Sequence, residues 1–401
     1  MIKVLEIGHI VAGPTAGLIL SDLGYDVIKI ERPGDGDIAR RLTGSSSGAF
    51  PFYNRNKKSL TVDMSSEEGK KIFLNLAEQS GVIIDNLGYG AMDRLGLSYE
   101  VISRRNPKIV YLSMKGYGKG VYEKRKSLDY PIEVHSGLAY MTGLTGKPMR
   151  VGGSLVDMSA AMFGVIAVLN AMFEMRESGV GKYIDIGLFE SSVFLMGQHI
   201  ATYQINQREL KPINEEGFAW AIYDFFPTKE GRSLFIAVTT DNQWRDFCNG
   251  LELGVCNDVS LDRNEKRFEK RDMLYGLISE KTSKIAIGDL MNLLEKMNIA
   301  FAVLNKPWDM LADPQASAKM VTETYENRPI RVPVTPHRRL NERQPTRPGR
   351  KHRRNFTESW VQFKGNSGTE GEGRNLSSHN LHYLDYFPVK ISDKALSLAT
   401  T

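Results

Sequence analysis

The sequence predicts an α/β protein, a parallel sheet covered by helices in its larger part and a smaller α+β part after it. Two patterns and one bulk property carry that prediction. Short apolar runs alternate with helical segments through the first half, and after about residue 205 the order changes to a hairpin signal followed by helices. With 401 residues, 41 % of them hydrophobic and 25 % charged, the chain can bury a sizeable core, in two domains or in one large domain with an insertion.

The elements follow in order. "IKVLEI" reads as an immediate first strand, with no charged leader, apolar core or small-residue cleavage site, so no export is expected. "GHIVAGPTAGLILSDLG" is a helix, with Pro14 suited to its first turn and Gly24 to its stop, and "DVIKIE" completes a βαβ unit. "SLTVDM" precedes "SSEEGKKIFLNLAEQSG", in which Ser65 and Glu68 have capping-box spacing. "GVIID" and "KIVYLSM" add two more strands around a helix ending near Asn106 and Pro107. Ligands of such a sheet bind outside the carboxyl ends of its strands.

The longest apolar stretch, Ala160 to Leu169, falls short of the ~18 residues a bilayer span needs and reads as a buried helix. Further on, "AIYDFFPTKEGRSLFIAV" predicts a hairpin about Lys229, Glu230 and Gly231, with helices from Asn242 to about Asn298. "RPIRVPV" is a strand returning to the first part. The expected division is a large Rossmann-like domain over 1–205, completed by about 326–340, a small α+β domain over 217–325, and an atypical tail over 341–401.

The formal net charge is +5, yet Arg338 to Arg354 alone hold eight Lys or Arg against the one acid Glu342. The rest of the chain is slightly acidic, so the run reads as a solvated tail before it reads as a nucleic-acid site. Cys248 and Cys256 match neither a CxxC pair nor a disulfide framework, and a cytoplasmic protein is expected.

Candidate chemistry is sparse. "GHIVAGPTAG" lies where a dinucleotide-binding protein keeps its phosphate loop, and Glu31 lies near the position of a ribose-binding acid, but G-x-G-x-x-G and G-K-[ST] are both absent. His9, His135 and His199 are scattered, so neither a metal site nor a Ser-His-Asp triad is expected. Asp157 remains, between Gly152-Gly153 and the long apolar run. As a helix N-cap it would satisfy free backbone donors. At the same place, a helix start could also stabilise an oxyanion.

"LEIGHIVAGPTAGLILSDLGYDVIKIERPGDGD", "YNRNKKSLTVDM", "IIDNLGYGAMDRLGL", "LDYPIEVHSGLAYMTG" and "VGGSLVDMSAAMFGVIAVLNAMFE" together resemble, in order, the motifs of class III CoA-transferases, from residue 2 to about 335. This superfamily includes formyl-CoA transferase, carnitine CoA-transferase and α-methylacyl-CoA racemase. The resemblance implies that Asp157 is the nucleophile and that coenzyme A or acyl-CoA is a substrate, with no permanently bound cofactor. It assigns Val11, Arg32, Asn86, Leu87, Arg94 and Lys126 to CoA binding and Asp129 to the active site as an acid. It also implies an interlocked homodimer, acting away from membranes. Val11 replaces the Gln of formyl-CoA transferases, which argues against formyl-CoA, and Ser65 replaces a lysine of some members.

The family mechanism passes through an aspartyl mixed anhydride and an aspartyl-CoA thioester. An aspartate with a pKa of ~3.9 would be ionised at neutral pH and need no general base. The racemases of the family carry a His immediately before the position of Asp129; here that residue is Leu128, so transfer is expected over racemisation. The tail lacks the usual Gly-Glu-His-Thr-like ending. It is read as an altered terminus, as from a change of reading frame, and not as a polyanion-binding module.

Overall fold

The computed structural model describes residues 1–217 and 219–338. Its centre is a six-stranded sheet in the order β3-β2-β1-β4-β5-β6, every neighbouring pair parallel. The strands are β1 (Lys3–Ile7), β2 (Asp26–Glu31), β3 (Lys58–Thr61), β4 (Val82–Asp85), β5 (Val110–Lys115) and β6 (Lys182–Gly187). The order reverses between β1 and β4, which opens a crevice at their carboxyl ends.

Among the helices that cover the sheet are α1 (Ala12–Asp22), α2 (Ala49–Tyr53), α3 (Glu67–Glu78), α4 (Ala91–Arg94) and α5 (Tyr99–Arg105). The series continues with α6 (Asp129–Ser136), α7 (Leu138–Thr142), α8 (Leu155–Ser178), α9 (Leu188–Leu195) and α10 (Gly197–Asn206). One apolar core joins α1 and α8 to Val4, Ile84, Leu112 and Ile184 of the sheet. A second, on the opposite face, joins Phe73 of α3 and Ile102 of α5 to Leu5, Ile28, Ile83 and Tyr111. Strand alternation sends successive side chains to the two cores, so β1, β4 and β5 are apolar on both faces.

Local signals account for several boundaries. Gly24, at φ +94°, follows the last turn of α1 where a left-handed residue is required. The capping expectation shifts by one residue: α3 is capped by Ser66, whose hydroxyl accepts from the Gly69 backbone N–H at 3.0 Å. Ser65 instead donates to Asp63 at 2.6 Å, because Asp63 forms a local turn that takes its hydroxyl away from the helix.

Helix α8 corrects two expectations. It has 24 residues and a mean hydropathy of 1.8 in its most apolar window, long and apolar enough to cross a membrane by length and composition. Half of that window is packed inside the protein, against α1, α9, β5 and β6. The helix is therefore not buried all round: Met162, Ile166, Leu169 and Phe173 form an exposed face, with Ile166 and Phe173 each 62 % exposed. Its inner face passes close over β5, where a Cβ on Gly164 would stand 3.0 Å from the Leu112 side chain. Gly164→Val is expected to cost roughly 1–3 kcal/mol by overpacking, measured by urea unfolding; no loss would show that the layers can part there.

The chain beyond residue 220 forms β7 (Ile222–Pro227) and β8 (Ser233–Val238) about the expected turn, with β9 (Ala300–Val303) added antiparallel. Helices such as Asp241–Gly250 and Arg271–Thr282 supply Trp244, Phe247, Leu274 and Ile278 to a third core with Leu234 and Ile236. Here Cys248 and Cys256 are joined in a disulfide, contrary to expectation. Helix 241–250 ends and the chain turns back through Leu253, whose N–H donates to the Cys248 carbonyl, a reversal that sequence spacing does not reveal.

The final strand, β11 (Arg328–Pro333), pairs with β10 (Met320–Tyr325) in a separate two-stranded sheet and does not extend the six-stranded one. The chain returns to the first part through polar contacts. Thr335 donates to Asp22 through N–H and hydroxyl at 3.0 and 2.9 Å, and Arg338 reaches the same carboxylate at 2.7 Å. Arg338, the first cation of the basic run, is thus paired; the remainder of that run and the tail 341–401 lie outside the described residues.

Candidate active site

The crevice between β1 and β4 is held by a side-chain bridge. Asn86, just past β4, accepts from the Gly13 N–H at 3.1 Å and donates to the Met114 carbonyl of β5 at 3.2 Å. A Cβ on Gly13 would lie 2.8 Å from that of Asn86, so the approach of α1 to the β4 loop requires glycine. Asn86, assigned above to ligand binding, spends its amide on the crevice wall and positions the loop. Leu87 follows it, its N–H on Asp85 at 2.9 Å and its carbonyl on the Lys115 ammonium at 2.7 Å.

Behind the β1–α1 loop sits a buried charge network. Lys29 contacts Glu6, Asp37 and the Gly8 carbonyl, each at 2.9 Å, while Lys57 contacts Glu6 at 2.6 Å and the Pro14 carbonyl at 2.8 Å. Burial, together with the charge of Lys29, pushes the Lys57 ammonium down to about 8, against the pull of Glu6. Both oxygens of Asp37 accept from the Ile10 N–H, at 3.2 and 3.3 Å, and hold that residue at φ +64°. The buried Val11 follows, as the N-cap of α1. Glu31 is occupied as well: Arg40, Ser59 and the Asp37 N–H hold it down to about 2 despite burial, so it is no free ribose ligand.

The cations assigned to CoA stand at the surface. Arg32, after β2, has among the described residues a loose 4.0 Å pairing with Asp35. Arg94, ending α4, donates to the Tyr89 carbonyl at 3.2 Å, and Lys126 is exposed in the segment leading into α6. A cleft of about 430 Å³ opens at the carboxyl ends of β4 to β6, lined by Asp85, Tyr99, Tyr111, Lys115 and Asp185 among others. Asp157 is not in it.

Asp157 is not the cap of α8. The N-cap is Ser154, which makes no capping bond, and Asp157 occupies the third helical position. The backbone N–H of Asp157 instead donates to Asp129 Oδ2 at 3.1 Å, so the carboxylate at the start of α6 caps α8 across the fold. That leaves the Asp157 carboxylate free of hydrogen bonds among the described residues and close to a like charge. Burial and the Asp129 carboxylate push it up to about 7, partly offset by Arg150. The expectation of full ionisation at neutral pH is therefore corrected: folding raises the Asp157 carboxyl into the neutral range.

Sequence reasoning missed three neighbours. Arg150 donates to Asp129 Oδ1 at 3.1 Å and lies 3.8 Å from Glu133. Glu133 is buried and accepts from the Val151 N–H at 3.0 Å; burial pushes its carboxyl up, with Asp129 adding to the effect. Tyr53, from α2, is held neutral by burial and by the charges of Asp157 and Asp129. No spacing rule links residues 53, 133, 150 and 157. His135, by contrast, is taken up by the Tyr117 hydroxyl at 2.9 Å and by stacking on Phe189.

A model for CoA-transferase family III matches residues 1–352. The chain belongs to that family. Among curated relatives of the CoA-transferase, an acyl-CoA transferase from Fusarium pseudograminearum is 32 % identical, over 79 % of this chain and 73 % of its own. The human succinyl-CoA:glutarate CoA-transferase is 31 % identical, over 78 % of this chain and 73 % of its own. Among solved structures, a CAIB/BAIF family protein from Brucella suis matches with a TM-score of 0.74 at 29 % identity, over 85 % of this chain and 92 % of that one.

Proposed function

We propose that this CoA-transferase moves CoA from an acyl-CoA thioester to a free dicarboxylic acid through two kinds of covalent intermediate on Asp157, anhydride and CoA thioester. The observation that carries the reading is the Asp157 carboxylate itself, left free because Asp129 supplies the cap that the start of α8 needs. The human relative, named for succinyl-CoA and glutarate, motivates the substrate class.

The ionised Asp157 attacks the thioester carbonyl, the C–S bond breaks, and CoA thiolate leaves a mixed anhydride. The thiolate attacks the aspartyl carbonyl and releases the first acid, forming an aspartyl-CoA thioester. The second acid attacks that thioester, expels the thiolate and forms a second anhydride. Thiolate attack on its acyl carbonyl yields the new acyl-CoA and restores the Asp157 carboxylate. The positive end of α8 favours the tetrahedral oxyanions, and Tyr53, whose pKa the Asp157 charge helps to raise, is a neutral donor near them. Arg32, Arg94 and Lys126 are assigned to the coenzyme's phosphate-bearing end, where Arg forks suit phosphate oxygens, and Val11, Asn86 and Leu87 to the crevice it crosses. The exposed apolar faces of α8 and of α10, with Ile200 and Tyr203, support an interlocked homodimer. Racemisation is disfavoured: it needs a second acid/base group, Leu128 stands where the family's racemases carry His, and His135 is engaged elsewhere.

Incubation with acyl-CoAs, trapping by hydroxylamine or borohydride and peptide mapping tests the reading. A label on the peptide containing Asp157 is expected; absence of label with every donor refutes it. The single-turnover acylation rate is expected to rise with pH to a plateau with a midpoint near 7, because only the ionised carboxylate attacks and Asp157 is pushed up to about 7. A rate already flat from pH 5 upward contradicts that shift.

A further inference from the structure

We propose that Arg150 selects the dicarboxylic substrate by taking the carboxylate at its far end while the near end reacts at Asp157. The inference rests on the transfer reading above and assigns a specificity residue to the same site. Three carboxyl groups, Asp129, Glu133 and Asp157, gather here, and the charges acting on Asp157 include one cation, Arg150. A substrate that brings in a further negative charge is repelled by this group unless a cation meets it.

The geometry puts Arg150 at the right remove. Its Nη2 is 3.1 Å from Asp129 Oδ1, and the other oxygen of that carboxylate is 3.1 Å from the Asp157 N–H, so one carboxylate separates the guanidinium from the nucleophilic residue. The side chain is 49 % exposed, whereas Asp129 and Glu133 are buried. Its inner edge is anchored on the two acids, and the Val151 N–H bond to Glu133 fixes the strand of chain that carries it. Nη2 also reaches the Ser154 hydroxyl at 3.5 Å, whereas among the described residues Nη1 has no hydrogen-bond partner, so its N–H donors remain for an incoming carboxylate. Gly152 and Gly153 come after Val151 on the way to α8, and a Cβ on either would meet nothing within 4 Å, so the chain between Arg150 and Asp157 leaves open space.

A purely structural ion pair would hold Asp129 in place and act on all substrates alike. Succinyl-CoA and butyryl-CoA separate the two roles, since both present a four-carbon acyl chain and only the first ends in a carboxylate. Single-turnover acylation of Asp157 is measured with each across a concentration series. The wild-type chain is expected to favour succinyl-CoA, and Arg150→Met to lower its apparent second-order rate roughly 10–100-fold more than that of butyryl-CoA. Arg150→Lys, which keeps charge without the fork, is expected to fall between them and serves where the Met variant does not fold. Equal loss with both thioesters, no loss, or no wild-type preference overturns the assignment. Labelling of Asp157 by butyryl-CoA alone, or by neither thioester while another donor labels it, overturns Arg150's role yet keeps the nucleophile; absence of label with every donor overturns the reading beneath it.

Discussion

Asp157→Asn is expected to abolish CoA transfer, lowering turnover by at least about 10³-fold, and to make the protein more stable at pH 8. The first effect follows because neither covalent intermediate can form without the carboxylate. The second follows from linkage. Folding pushes the Asp157 carboxyl up from its ordinary value to about 7, so the folded chain binds a proton that the unfolded chain has already lost across that range. Stability therefore falls as pH rises from about 4 to 7, and the full penalty remains above 7. Asparagine removes it, on the order of 2–4 kcal/mol at pH 8 and close to nothing at pH 4. Urea unfolding at both pH values measures this directly. Wild-type turnover in the variant would end the proposed mechanism, and equal stability gains at both pH values would locate the strain in something other than charge.

Lys29→Met is expected to destabilise the fold by about 3–5 kcal/mol, because Asp37 and part of the charge of Glu6 would be left buried without their cation. The damage is expected to spread to function as well. Asp37 holds the Ile10 N–H and with it the left-handed turn that presents Val11, so a folded variant should show a raised KM for acyl-CoA before a lowered kcat. Chemical denaturation and steady-state kinetics test the two halves separately. A loss below about 1 kcal/mol would mean that Lys57 alone can neutralise the group.

Much of the architecture could be read along the chain because its causes are local. The apolar runs at β1, β2, β4 and β5, Gly24 after α1 and the turn at Lys229 to Gly231 each act through neighbours in sequence. The capping residue of α3 was displaced by one position because two adjacent serines compete, and the Asp63 turn decides between them. The disulfide escaped notice because an eight-residue spacing closes only when a helix end reverses the chain.

The site divides in the same way. Sequence by itself determined that Asp157 stands at the head of a long apolar helix and that the motifs around it are those of a CoA-transferase. Only the tertiary structure decided that Asp129 caps that helix, that the Asp157 carboxyl is pushed up to about 7 by burial and Asp129, and that Arg150 stands one carboxylate away. Helix propensity and turn chemistry depend on residues within a few positions of each other; the charge state of a carboxyl depends on burial and on groups brought from α2, α6 and the loop before α8, whose proximity no spacing in the chain encodes.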